Sequence, residues 1–398
     1  MSVNDVPVLF DPFSEQAHRD PYPAYAAMRA EHPVYHQPEL DLWFVSRYDD
    51  VNVLVNDWET FTLEFGDDID ATSSLILQEG NLLENDPPRH RVLRRVVQSH
   101  WTPTNLAARL SAAIDVEVAR LVCEVRAAEG GRMDFGAETA SRLPVAVISD
   151  FVGVDEADRA ELVRLQVAMI EREPGVTAPP ARATDAAARQ REYFVSQLEL
   201  RRRQPRDDLM SVIVQAEQAG TIGAGEAIGL AHQLFAAAID TTASMLTNMF
   251  MLLGTCVEQQ ALIRADPALV DGALEEILRF ESPIQNAKRT ATRDAAIAGI
   301  AIPAGAAVVP LFGSANRDER RFERADAFDV RRESQRNLAF GAGVHHCLGA
   351  PLARLQARKL LAAFVRELPP FELADEPTRF PNHVLRGLAS VPLAFVSA

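Results

Sequence analysis

The chain has 398 residues, 47% of them hydrophobic and 24% charged, with a formal net charge of -16. That much apolar sequence supplies a large core, while the acidic balance excludes a general nucleic-acid binder, which needs a basic surface. Three cysteines are too few to frame so long a chain with disulfides, and a reducing compartment is expected.

Residues 1–5 contain neither a basic segment nor an apolar run, so no signal peptide or membrane anchor is expected. Residues 20–29 read as a turn feeding a short helix. Residues 34–36 and 42–45, rich in hydrophobic and aromatic side chains, flank a five-residue connection without glycine and suggest a hairpin. Residues 49–58 read as helical. Between Phe61 and Glu84 the pattern breaks into Gly, Asp, Thr and Ser with scattered leucines, and long loops in compact domains are usually functional. Pro87 and Pro88 open a basic helix over 89–98. In it His90 and Arg94, four apart, share a face able to grip an anion, whereas Arg91 and Arg95 suit a solvated surface. Helices are expected over 108–128, 155–171 and 181–203, the last two separated by a Pro- and Gly-rich loop at 173–180. Pro205 to Met210 is another helix start.

From about residue 225 to 256 runs one long apolar stretch; roughly 30 residues at 1.5 Å each span about 45 Å. Glu226, His232, Gln233, Asp240 and Asn248 interrupt it, which argues for a buried core helix rather than a membrane span. Its middle reads Ala237-Ala238-Ile239-Asp240-Thr241-Thr242. A buried carboxylate is costly unless paired or wet, so Asp240 and Thr241 at a local helix distortion suggest a pair that holds a proton-delivering water. The alternative for Thr241 is a back-bond to its own helix turn. A further helix over 267–280 sets Glu276 and Arg279 three apart, able to pair. An extended segment from Ser282 to Arg289 and short strands over 297–309 follow.

The stretch Phe340-Gly341-Ala342-Gly343-Val344-His345-His346-Cys347-Leu348-Gly349 holds one cysteine in a glycine-studded loop just before a helical run. Such a loop can turn amide N–H groups toward the sulfur, and a helix N-terminus adds to the preference for thiolate. A lone cysteine is also a common buried hydrophobe. A zinc site has no paired spacing with Cys123 or Cys256, and adjacent Cys and His rarely point the right way for a nucleophile.

Taken whole, this ten-residue pattern resembles the haem-binding signature of cytochromes P450, and the resemblance continues through most of the chain from Asp20 onward. It implies the cytochrome P450 fold, mainly α with a small β region, as a single domain over 1–398. It also implies a haem-thiolate monooxygenase of the soluble bacterial type, cytoplasmic and monomeric. The cofactor would be haem b (iron protoporphyrin IX) with Cys347 as iron ligand. Phe340, Gly341 and Gly349 would shape the loop around the sulfur, and His90, Arg94, Arg289 and His345 would hold the haem propionates. Asp240 and Thr241 match the family's acid–alcohol pair, Asp240 relaying protons and Thr241 hydrogen-bonding dioxygen; Ala238 stands where the family usually has Gly. Glu276 and Arg279 match its structural Glu-x-x-Arg, and Asn337 stands where many relatives carry His.

The same resemblance makes the loop 61–84 and the helices 155–171 and 181–203 a cover over the substrate. Leu75, Leu77, Phe235, Ala236, Ile239, Ile284 and Val384 would line an apolar pocket, with Gln285 and Asn286 as polar anchors, for a small-to-medium apolar organic substrate oxidised by O2. Electrons from NAD(P)H would pass through a reductase and a ferredoxin docked on a basic patch of Arg91, Arg95, Arg354, Arg358 and Lys359. No nucleic acid or membrane is expected as partner. A peroxide-driven enzyme on this fold would not need the acid–alcohol pair, and a haem sensor would need neither the pair nor a lid.

Overall fold

The computed structural model describes residues 8–70, 79–333 and 336–396. Eight helices frame the region of interest: α1 (Arg89–Val97), α2 (Pro103–Ala127), α3 (Ala137–Val152), α4 (Glu156–Ile170), α5 (Ala181–Arg203), α6 (Ala224–Thr255), α7 (Val270–Phe280) and α8 (Ala350–Glu367). Strands β1 (Val34–Gln37), β2 (Leu42–Val45), β3 (Phe61–Thr62), β4 (Arg289–Ala291) and β5 (Ala307–Pro310) form the largest sheet, in the order β1-β2-β5-β4-β3. All its neighbours are antiparallel except β2 and β5. The architecture is mainly α with a small β region.

The expected hairpin forms, with Val34 opposite Val45 and Gln37 opposite Leu42. Its turn manages without glycine. Gln37 Oε1 accepts the N–H groups of Glu39 (2.7 Å) and Leu40 (3.1 Å), and Asp41 adopts φ 52°, a left-handed conformation that Asp tolerates. Helix α2 begins at Pro103, earlier than expected, because Thr102 Oγ1 accepts the Asn105 N–H at 3.3 Å and Pro103 fits the first helical position.

The sequence reading assigns no element to residues 137–152, where the structure has α3. Pro144 lies inside it and forfeits a backbone hydrogen bond. Burial of Leu143, Val147, Ile148 and Phe151, each at most 1% exposed, offsets that loss. Gly136 is needed at its start, where a Cβ would lie 2.1 Å from Ala389 O, and Gly153 at its end, where φ is 104°.

Helix α6 is the axis of the core. Glu226 begins it by accepting the Gly223 N–H at 2.7 Å and pairs with Arg89 of α1. The helix is long and apolar enough to cross a membrane, but 67% of its apolar window is buried within the protein, packed on α3 and α5. Near its C-terminal end Phe250 sits 4.0 Å from Phe135 and 4.6 Å from Phe364, ring centre to ring centre, tying α6 to α8.

The segment after β5 is held by one buried ion pair. Arg279 binds Glu276 through Nε (2.7 Å) and Nη2 (2.8 Å), and its Nη1 donates to the carbonyls of Asn316 (2.9 Å) and Ala325 (2.8 Å). Both side chains are at most 2% exposed, and Arg332 adds a second guanidinium at 3.0 Å from Glu276. Removing Arg279 leaves buried Glu276 paired with Arg332 alone among the described residues and strips the carbonyls of Asn316 and Ala325 of their donor, so Arg279→Met should destabilise by about 3–5 kcal/mol. Arg354→Met, which breaks a more exposed pair with Glu275, should cost only about 0–1 kcal/mol. Comparing the unfolding transitions of the two variants checks this.

Candidate active site

Cys347 lies in a loop whose shape is set by two left-handed glycines, Gly341 (φ 65°) and Gly343 (φ 69°). The loop closes through the Cys347 N–H, which donates to Phe340 O at 3.0 Å. Beyond it the chain enters α8 with Gly349 at the N-cap. The N–H groups of Gly349 and Ala350 both donate to the sulfur. Burial pushes the thiol up, while these N–H groups and the charges of Arg94 and Arg354 pull it down; burial prevails. Phe340 covers the loop, with the Arg354 guanidinium 4.4 Å from its ring centre. Arg94 of α1 donates to the carbonyls of Val344 (3.2 Å) and His346 (2.9 Å), so it clamps the loop backbone.

Beside the loop lies a buried basic rim. His90 and His345 pack with tilted rings, their centres 4.6 Å apart. His345 Nε2 meets Asp86 Oδ1 at 2.7 Å, and Asp86 in turn accepts from Thr62 Oγ1 and, at 3.2 Å, from the Leu63 N–H. With Nε2 engaged as donor, His345 Nδ1 donates only in the imidazolium form, which Asp86 favours and burial opposes. Burial, with His345 and Arg94 adding to it, holds His90 down at about 4, so it is neutral near pH 7. Arg289, 4% exposed, is lowered by burial to about 10 and stays charged. His90 Nδ1, His345 Nδ1 and Arg289 Nη1 are buried without a hydrogen-bond partner among the described residues.

On α6 the accessible side centres on Ala237, flanked by Ala236, Asp240 and Thr241, as the helical period requires. Phe235 and Ile239 point the other way. Both are at most 1% exposed, and Phe235 packs on Phe194 of α5 at 5.6 Å; the expectation that they line the pocket is therefore corrected to core. No distortion interrupts the helix at the pair. Thr241 Oγ1 donates back to Ala237 O at 2.8 Å. Asp240 is pushed up to about 7 by burial, partly countered by a 2.6 Å hydrogen bond from Gln166 Nε2.

Comparison with known proteins decides what this arrangement is. The sequence model of a family described as cytochrome P450 matches residues 262–392. Cytochrome P450 monooxygenase PikC of Streptomyces venezuelae is 35% identical over 389 residues, 94% of this chain and 91% of its own. The chain belongs to the cytochrome P450 family. Among solved structures, CYP109Q5 of Chondromyces apiculatus superposes with a TM-score of 0.87 at 32% identity, over 98% of each chain. CYP109E1 of Bacillus megaterium, solved with testosterone, gives 0.87 at 27% identity, over 96% of this chain and 100% of that one. This P450 is thus a monooxygenase of the oxidoreductase class, and membership implies haem, O2 and a redox partner.

The residues fit a haem. A cysteine sulfur receiving two amide N–H groups suits a thiolate ligand, and buried cationic or imidazole nitrogens without protein partners suit carboxylate acceptors. Other expected positions are differently used in this P450. Gln285 Nε2 donates to Ser282 O (2.7 Å) and Asn286 Nδ2 to His383 O (2.8 Å), each through one of its two amide hydrogens, while Gln285 Oε1 and Asn286 Oδ1 are buried without a hydrogen-bond partner among the described residues. Ile284 and Val384 are half-buried on neighbouring strands of chain. Leu75 and Leu77 lie outside the described residues. Asn337 Nδ2 reaches Glu275 Oε2 at 3.3 Å, linking the loop to α7. The basic patch is largely neutralised, because Arg354, Arg358 and Lys359 pair with Glu275, Asp271 and Asp115. Only Arg91 and Arg95 stay exposed without an ion pair among the described residues.

Sequence reasoning missed Asp86, Thr62, Ala237 and Gln166. Ala237 was legible from the 3.6 period around Asp240; the others come from elements far away in the chain. The loop glycines make a direct check. Gly343→Ala combines a left-handed φ with a Cβ 2.9 Å from Asn56 Oδ1, whereas at Gly341 nothing lies within 4 Å. Gly341→Ala should cost about 1–2 kcal/mol from backbone strain alone, and Gly343→Ala distinctly more, measured as the fall in unfolding midpoint.

Proposed function

We propose that this P450 binds haem b and inserts one oxygen atom from O2 into a small-to-medium apolar organic substrate. The other oxygen leaves as water, with consumption of two electrons and two protons. The observation that carries this reading is the Cys347 loop, with two amide N–H groups on a sulfur at a helix N-terminus. When bound, the haem supplies dioxygen activation. Cys347 would be its ligand, with Phe340, Gly341 and Gly349 around the sulfur, and His90, Arg94, Arg289 and His345 would hold its carboxylates. Asp240, raised by burial to about 7, would hold and pass a proton, and the Thr241 hydroxyl, which donates to Ala237 O, would turn to hydrogen-bond the reacting oxygen. Retention of both groups favours O2 over peroxide as oxidant.

The alanines at 236 and 237 leave an apolar floor beside that pair, and a relative solved with testosterone supports an apolar substrate. Electrons come from NAD(P)H through a reductase and a ferredoxin, with Arg91 and Arg95 as the cationic contacts that remain unpaired.

Carbon monoxide bound to the reduced, haem-loaded protein should give the red-shifted band for which the family is named; in Cys347→Ser it should be lost, and its absence in the folded wild type would falsify the reading. Thr241→Ala, assayed with a surrogate ferredoxin and reductase, should keep oxidising NADPH while product per NADPH falls by roughly 10-fold or more. A screen of steroids and fatty acids for a shift of the haem Soret band identifies the compound for that assay.

A further inference from the structure

A chain of hydrogen bonds converges on Asp240 from three helices, and its direction can be read from one atom that cannot flip. Gln190 Nε2 on α5 donates to the backbone carbonyl of Leu162 at 2.9 Å and to Gln166 Oε1 on α4 at 3.2 Å. Turning the Gln190 amide over would set oxygen against the Leu162 carbonyl, so the orientation is determined. Gln190 Oε1 therefore faces His232 Nε2 at 2.8 Å, and His232 must carry its proton on Nε2. Gln166, with Oε1 occupied as an acceptor, presents Nε2 to Asp240 Oδ2 at 2.6 Å. Every donor points the same way, and the chain ends on one carboxyl oxygen.

That end point has a chemical consequence. Oδ2 accepts an N–H, so a protonated Asp240 carries its hydrogen on Oδ1. Oδ1 has no protein partner among the described residues, and the side chain borders the accessible side of α6 next to Thr241. The three supporting side chains are almost sealed: Gln190 is 0%, His232 1% and Gln166 4% exposed. Burial keeps His232 neutral, at about 4, so it acts as a fixed dipole rather than a second acid. The influences on Asp240 are burial and the Gln166 N–H; no charged group of a neighbouring element adds to them among the described residues.

We propose that Gln166 is a positioning residue for the oxygenation reaction: oriented by Gln190 and His232, it fixes Oδ1 of Asp240 as the oxygen that holds the transferable proton. The proposal rests on the reading of Asp240 as proton carrier. Mere filling of the space between helices would be met as well by apolar side chains, which gives the test.

The test uses the haem-loaded full chain. Infrared difference spectra against pH follow the carbonyl stretch of protonated Asp240, assigned by its loss in Asp240→Asn. In Gln166→Met the midpoint should rise by about one to two pH units, since a hydrogen bond to the charged form is lost. Gln190→Met should shift it the same way by less. Gln166→Glu, close in shape, serves if the Met variant does not fold, and it too should raise the midpoint by placing a second carboxyl against the first.

In parallel, NADPH oxidation with a surrogate ferredoxin and no added substrate is measured in H2O and D2O. Asp240→Asn should slow it at least about 10-fold. Gln166→Met should change the solvent isotope effect in the wild-type background and add nothing in the Asp240→Asn background. A folded Gln166 variant with unchanged midpoint and isotope effect, while Asp240→Asn is slow, overturns the positioning role alone. An Asp240→Asn protein that oxidises NADPH like wild type overturns the proton-carrier reading and the proposal with it.

Discussion

A sulfur enclosed by protein resists ionising, because burial penalises the charged form. In this P450 the amide N–H groups of Gly349 and Ala350 and the charges of Arg94 and Arg354 work against that penalty without overcoming it. The remaining bias must come from a cation at the sulfur itself, which is the condition for haem ligation. Everything around the loop serves to keep those two N–H groups aimed. Gly341 and Gly343 supply the turns, Arg94 holds the carbonyls of Val344 and His346, and Gly343 is pressed against Val55 and Asn56 so closely that no larger residue fits unchanged.

Buried ion pairs do the scaffolding that an all-apolar core would leave unspecified. Arg279, paired with Glu276, donates to the carbonyls of the segment preceding the cysteine loop. Glu281 gathers Arg317, Arg379 and Arg386, and although burial alone would raise its pKa, these three guanidinium groups hold it at about 2. Arg317 is itself stacked 3.4 Å from the Tyr22 ring and 3.6 Å from that of Phe280, so cation–π contact shares the load. Such clusters add little net stability; their use here is to tie segments near positions 20, 280, 317 and 386 in one register.

How far the sequence could be read follows the range of the interactions. The Cys347 loop, the 276/279 pair and the body of α6 were legible because each is a short-range pattern: glycine spacing, a three-residue offset, an unbroken apolar run. The neutralised patch was not. Arg354, Arg358 and Lys359 look like a basic face in sequence, yet their acidic partners lie 79, 87 and 244 positions away. Phe235 and Ile239 were expected in the pocket, but a helix turns its faces every residue or two, and both are buried in the core, Phe235 against Phe194 of α5. Helix α3 was passed over although its apolar content is high, because its boundaries are made by glycines whose partners are remote, Ala389 for Gly136 and Asp208 for Gly153.

The sequence by itself determined which groups are proposed to carry the chemistry: one cysteine in a loop of small residues, one acid–alcohol pair in a buried helix, and basic residues at a fixed offset on α1. Those choices rest on local backbone geometry, which a short stretch specifies. Only the tertiary structure decided how each group is tuned. Asp240 takes its proton affinity from burial and from Gln166, 74 positions earlier, and His345 takes its ring orientation from Asp86, 259 positions earlier. Electrostatic environment depends on distance in space, and chain order records that distance only after folding.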